Sequence, residues 1–304
     1  MATCKHCGKP LILSGGKCIY CGAAHGEKVQ VASMEPSKSG LPPVLTFTVY
    51  GVSFNMILVE GGSFYYGLDL DLLNHEIESG RDYKETFPLV NVDSFYIGET
   101  PVTQALWEAV MEEKDEKIAI WGDKKVIFNP SFFKGKELPV ESIPSGAYHH
   151  FLERLNILTT ANFRIPNNYE WEFAAKGGIK TKGYKYSGSD NLHEVAWYSD
   201  NSGKHIKRGL LSIIRGDLPR EDSGKTTHPV KTKKPNELGI YDMSGNVAEF
   251  ISAPYSSPLF RGGSWLSNNI DCSVVKAFGY GHYSCAEEGF RLALSPEEMA
   301  KYRQ

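Results

Sequence analysis

Four of the six cysteines fall within the first 21 residues, as Cys4-Lys-His-Cys7 and Cys18-Ile-Tyr-Cys21, and no other feature limits the fold so strongly. A segment of about 20 residues buries too little apolar surface to hold itself folded, so its stability has to come from a crosslink or a metal. Each pair is a C-x2-C step followed by a glycine (Gly8, Gly22), which lets the chain turn so that backbone amides point at the thiolates, as in a zinc knuckle. Four thiolates at about 2.3 Å close a tetrahedral zinc site. Disulfides fit poorly with a chain that shows no export signal, and a redox C-x2-C would need a surrounding βαβ pattern. Residues 1–22 are therefore expected to form a zinc ribbon on Cys4, Cys7, Cys18 and Cys21, suited to docking another macromolecule.

The remaining chain needs no such help, because 41% hydrophobic and 12% aromatic residues over 304 positions support a substantial core. With 33 basic against 36 acidic residues the net charge is −3, which provides no global field to attract nucleic acid or an anionic membrane. Nucleic acid is not expected as a partner except through the ribbon. Apolar stretches such as Phe54 to Val59 fall far short of the ~20 residues that span a bilayer, and no signal peptide or anchor is visible. A soluble cytoplasmic protein with no membrane partner is the expectation.

Residues 23–43 are small, polar and proline-containing with no apolar period, and read as a flexible linker before a domain over 44–304. Strand-like runs follow at Leu45 to Val49, Phe54 to Val59, Ser63 to Tyr66 and Val90 to Ile97. Thr103 is placed to cap a helix through Met111, Ser145 to cap one carrying Tyr148, Phe151, Leu152 and Leu155, and Asn167 with Glu170 to open a third that stops at Gly177. The second half is rich in glycine turns. This is an α+β pattern with much irregular structure, and loops that long need metal or dense turn hydrogen bonding to order them.

Between residues 59 and 291 a series of short motifs occurs: Val59-Glu-Gly-Gly-Ser-Phe64, Phe95-Tyr-Ile-Gly98, Pro101-Val-Thr-Gln-Ala-Leu-Trp107, Asn129-Pro-Ser131, Leu138-Pro-Val140, Phe163-Arg-Ile-Pro166 and Glu170-Trp-Glu172. Pro235-Asn-Glu-Leu-Gly-Ile-Tyr-Asp242, Ser244-Gly-Asn-Val247 with Glu249, Arg261-Gly-Gly-Ser-Trp265 and Gly289-Phe-Arg291 complete it. No single piece is specific, but their order resembles that of the formylglycine-generating enzyme, or sulfatase-modifying factor, family. The resemblance implies a C-type-lectin-like fold with little regular secondary structure.

Members of that family bind copper through two cysteines after the Gly-Gly-Ser motif and oxidise a substrate cysteine to formylglycine. Here the first position is Ser267 and the second is Cys272, while a family tryptophan is replaced by Ala248. A serine hydroxyl is a poor ligand for copper(I), so copper is not expected. The family's calcium-binding positions map onto Asp242, Gly245, Val247 and Glu249, whose two carboxylates and two carbonyls suit a hard cation. Structural calcium is expected there, and a second family calcium site near Asn201 and Ser202 is interrupted by an insertion, His205 to Lys225, that carries interleaved basic and apolar residues. The nine histidines show no spacing that would make the iron site of other relatives.

The resulting expectation is a non-catalytic member that presents Leu266 to Ala286 to a protein or small-molecule ligand, with Trp265, Ser267, Asn268, Tyr280, His282 and Tyr283 as binding residues. Rich in Tyr, His, Ser, Gly and Asn, this stretch has the composition of a paratope, and the family's fold also serves as a diversified binding scaffold over the equivalent of residues 266–288. The alternative is a copper-dependent oxidoreductase generating formylglycine, or a related oxidase, with Cys272 and Ser264 as its catalytic residues.

Overall fold

The computed structural model describes residues 40–111, 129–203, 224–252, 259–279 and 285–297, with the backbone of short strands at 13–14, 17–18, 30–31, 118–121 and 124–127. Cys4, Cys7 and Cys21 lie outside the described residues, as do Tyr280, His282, Tyr283 and nearly all of the 205–225 insertion; for Cys18 and Cys285 only the backbone is described. The insertion's two ends meet, since Gly203 and Lys225 form an antiparallel bridge.

A five-stranded sheet organises the domain. Its strands are β1 (Gln30–Val31), β2 (Val44–Val49), β3 (Val52–Val59), β6 (Phe95–Gly98) and β11 (Ala293–Leu294), in the order β11-β6-β3-β2-β1, with every pairing antiparallel. In β2 the alternation Leu45, Phe47, Val49 faces one core, as a half-buried strand requires. The unbroken apolar run Met56-Ile-Leu-Val59 has a different cause, because both sheet faces are covered there. Met56 and Leu58 enter one core while Ile57 and Val59 enter a second.

The first core contains α2 (Gln104–Met111) and α3 (Ala147–Thr159), with Trp107 stacked on Phe151 at 5.2 Å. Thr103 Oγ1 accepts from Leu106 N–H at 3.3 Å, the expected cap. Ser145 does not cap α3, which instead starts from Gly146 in a left-handed conformation with no side-chain cap. The second core contains Trp171 and Phe173 of α4 (Asn168–Ala175), and the capping box of Asn167 and Glu170 opens that helix as expected.

The run from Val90 to Ile97 is two strands, contrary to the sequence reading. β5 (Leu89–Val92) pairs with β4 (Gly62–Tyr65), and the chain turns at Asp93–Ser94 before β6 joins the main sheet. A helix α1 (Leu70–Glu78), capped by Asp69, was not anticipated. Among the described residues no helix is long and apolar enough to cross a membrane.

A second, four-stranded sheet carries Glu249, Arg261, Gly289 and Phe290 of the motifs. It comprises β7 (Ala248–Ile251), β8 (Leu259–Arg261), β9 (Ala277–Gly279) and β10 (Glu288–Phe290), in the order β9-β8-β7-β10. Cross-strand register lines up Phe278, Phe260, Phe250 and Phe290 as one row. One residue away, Glu249 pairs with Arg261 on the opposite face. The period of two thus separates an aromatic row from a charged one.

Candidate functional site

The Gly-Gly-Ser-Trp turn follows β8 and runs beside Cys272. Gly263 has φ of 69°, and a Cβ there would lie 2.9 Å from Cys272 Sγ, so the side chain of any other residue would collide with the thiol. Ser264, fully buried, donates its hydroxyl to Glu287 Oε2 at 2.6 Å, and its N–H donates to Ser267 Oγ at 2.9 Å. Trp265 donates Nε1–H to the Ala286 carbonyl at 2.9 Å, and its ring meets Phe133 edge-on at 5.3 Å. The start of the Leu266 to Ala286 segment is therefore hydrogen-bonded to its end.

These contacts correct part of the expected ligand surface. Trp265 is 1% exposed and Ser267 is 5% exposed, so both side chains build the scaffold and do not face a ligand. Asn268 is exposed, although its Oδ1 accepts from the N–H groups of Ile270 and Asp271 at 2.8 and 3.0 Å and so fixes the turn. Ile270, 61% exposed, is the large apolar side chain this turn offers to solvent.

Cys272 is a free thiol with no exposed surface, packed among Tyr186, Leu192, Val195, Ala196 and Tyr198. Burial, with a smaller contribution from Asp271, pushes its thiol far above the ordinary range, so the nucleophilic thiolate is suppressed. With Ser267 turned toward Ser264, the donor set at the two family positions is one protonated thiol and one hydroxyl already in use. That set does not fit copper(I), which selects two soft thiolates.

The four positions expected to hold calcium are arranged differently. Glu249, 1% exposed, takes Trp171 Nε1–H at 2.6 Å and the Arg291 guanidinium on both oxygens at 2.6 to 3.0 Å. Arg291 also donates to the carbonyls of Gly98 and Tyr241 at 2.7 and 2.8 Å, so one ion pair ties β6, β7 and the 241 loop together. Asp242, with φ of 57°, accepts from Lys231 N–H at 2.9 Å, and burial pushes its carboxyl up to about 6. As folded, then, the four do not form a calcium cage, because an arginine already supplies the cation opposite Glu249. Among the described residues no three His, Cys, Asp or Glu side chains converge to hold a metal.

Two other arrangements have no counterpart in the sequence expectations. Asn246, completely buried, exchanges backbone hydrogen bonds with His228 through both ends of its amide at 3.0 Å, and its N–H donates to the Trp197 carbonyl at 2.7 Å. It pins the chain that returns from the insertion. The second is a fully buried pair, Arg261 Nη2 to Glu172 Oε2 at 3.0 Å, extended by Lys176 to Glu172 Oε1 at 2.6 Å and by Arg261 to Tyr66 OH at 2.9 Å. Both lie inside quoted motifs, but residue type alone does not say which partner each motif residue meets.

Glu288 stands opposite Ala248 in the parallel pair of β7 and β10. Burial, and next the charge of Glu287, raise its carboxyl from the ordinary 4.5 to about 7. Between those two values the folded state holds a proton that the unfolded chain has released, so stability falls as pH rises through this window. Glu288→Gln is therefore expected to melt higher than the parent at pH 8, with the difference disappearing near pH 4. Equal melting shifts at both pH values would contradict the assignment.

A family model described as the sulfatase-modifying factor enzyme 1-like domain matches residues 52–296. The chain is 34% identical over 261 residues to "Chaperone protein LppX" of Paenibacillus barcinonensis, covering 71% of this chain and 80% of that protein. It is 25% identical over 290 residues to "Inactive C-alpha-formylglycine-generating enzyme 2" of Bos taurus, covering 80% and 89% respectively. Among solved structures, Treponema denticola variable protein 1 superposes with a TM-score of 0.61 at 26% identity, over 84% of this chain and all of that one.

Proposed function

Given that this chain belongs to the sulfatase-modifying factor enzyme 1-like domain family, we propose that it is a member that binds a ligand and does not oxidise one. The observation that carries this reading is the state of the two family copper positions. Cys272 is sealed among aromatic and aliphatic side chains, and Ser267 is hydrogen-bonded to Ser264. The names of two relatives, a chaperone and an inactive enzyme, support a binding role. The ligand, a protein or a small molecule, is held on the face that Asn268 and Ile270 open, with Tyr280, His282 and Tyr283, which lie outside the described residues, as the further binding residues expected from the sequence.

Zinc on Cys4, Cys7, Cys18 and Cys21 is the metal of this proposal, with the ribbon docking a second macromolecule. Thiolates kept reduced for zinc fit a reducing compartment such as the cytoplasm. Calcium is not carried forward, because the Arg291 guanidinium occupies Glu249.

The test is turnover. A cysteine-containing sulfatase peptide is incubated with the protein, copper and oxygen, and followed by mass spectrometry. No formylglycine is expected from the native chain. Ser267→Cys is expected to gain copper binding without turnover, and Ser267→Cys with Ala248→Trp restores the second thiol and the indole for comparison. Turnover by the native protein that is lost in Cys272→Ala would establish the oxidase reading instead.

A further inference from the structure

A cavity of about 270 Å³ lies away from the Gly-Gly-Ser-Trp turn, where the main sheet is incomplete. Strand β3 pairs with β2 from Val52 to Ile57, but β6 accompanies it only from Met56 to Val59. Past Gly98 the neighbouring lane makes one more ladder contact, Glu99 N–H to the Asn55 carbonyl at 2.9 Å, and the chain then turns away at Thr100 and Pro101. Val52 to Phe54 consequently have a strand on one side and the cavity on the other, and Ser53 is exposed. The unfilled lane is a sheet edge, and Ser53, which shares the outward parity of Asn55, aims its backbone N–H and C=O where a further strand would lie.

The chemistry around the notch is directional. Asn55 Nδ2–H donates to Glu99 Oε2 at 2.9 Å, and the Lys231 ammonium pairs with the same oxygen. Glu99 Oε1 has no hydrogen-bond partner among the described residues. Glu137, exposed, adds a second carboxylate to the rim, so the lining holds two carboxylates against one lysine. Apolar lining comes from Val102, Leu106 and Leu292, together with Phe54 of the edge strand itself. A backbone edge, an apolar lining and a net negative rim together describe a receptor for a basic residue carried on an extended chain.

We infer that this notch binds an extended peptide of a partner protein, added as a short strand antiparallel to β3, with a lysine or arginine of the peptide reaching Glu99 Oε1. Main-chain hydrogen bonds to Ser53 supply affinity, and the carboxylate supplies selectivity. No described residue of the Leu266 to Ala286 segment lines the notch, and the inference does not depend on what binds there.

The test is a titration of the full-length, isotope-labelled protein with the blocked pentapeptide acetyl-Thr-Val-Lys-Val-Thr-amide, followed by backbone amide shifts. Saturable shifts are expected at Ser53, Asn55 and Glu99. The counterpart with glutamate in place of lysine should bind roughly fivefold more weakly or worse, as loss of one partly exposed ion pair implies. Glu99→Gln should erase that preference while leaving the fold intact by its melting curve. A counterpart N-methylated on the central amide, which removes a donor without touching the protein, should lose binding. Absence of shifts, shifts insensitive to both the lysine and Glu99, or equal shifts from free arginine amide would each overturn the proposal.

Discussion

Glu249→Gln is expected to lower the stability of the main domain by about 3–5 kcal/mol, the cost of leaving one member of a buried ion pair without its partner. For a domain of this size that corresponds to a fall in melting temperature of roughly 10 °C. The size of the effect follows from position. Arg291 is completely buried, and its guanidinium faces the Glu249 carboxylate together with two backbone carbonyls, so without Glu249 a cation would be left among acceptors that only partly neutralise it. Arg291→Met alone should be similarly damaging, and the double variant should lose less than the sum of the two, as contacting residues do. The same melting experiment decides between arginine and calcium as the counterion. Chelator or added calcium should leave the parent curve unmoved; a fall on chelation that Glu249→Gln abolishes would restore the calcium assignment.

The largest metal effect is expected at the other end of the chain. Purified protein should carry about one zinc, and the joint substitution Cys4→Ser with Cys7→Ser should remove it, because two hydroxyls cannot replace two thiolates in a closed tetrahedral site. Structural zinc in such small modules supplies about 10–16 kcal/mol of apparent binding free energy, which is in effect their folding free energy. Ribbon and main domain should therefore separate cleanly. Loss of zinc should expose residues 1–22 to protease while the melting of the main domain stays within about 1 °C, the scale of a surface change. Zinc retained by the doubly substituted protein, or a collapse of the main domain along with the metal, would refute this division.

Structure is legible in the sequence where one residue's chemistry acts locally. Thr103 and the Asn167–Glu170 box cap their helices because a short polar side chain reaches only the next turn. The β2 strand was legible from its alternation, and the family fold from the order of motifs. The failures share a physical cause. Ser145 has the right chemistry for a cap, but the glycine after it turns the chain first, so α3 starts uncapped. Val90 to Ile97 is apolar enough for one strand, and nothing local announces that Asp93 and Ser94 divide it between two sheets. At the site, carboxylates at calcium spacing look alike whether a dication or an arginine 42 residues away neutralises them. Trp265 looks like a binding aromatic until the Ala286 carbonyl and Phe133 are found to occupy it.

The contacts of Ser264 with Glu287 and of Trp265 with Ala286 fasten the two ends of a 20-residue segment to each other before any of its interior is specified. While Cys272, Val274 and Phe278 stay committed to packing and to strand β9, a segment held in this way can vary where it is exposed. Its length enters the folding free energy mainly through closure entropy, and doubling it costs only about 0.6 kcal/mol. Exposed residues between the clasps, such as Asn269 and Ile270, are thereby released from the duty of holding the domain together, and substitutions there leave the fold in place.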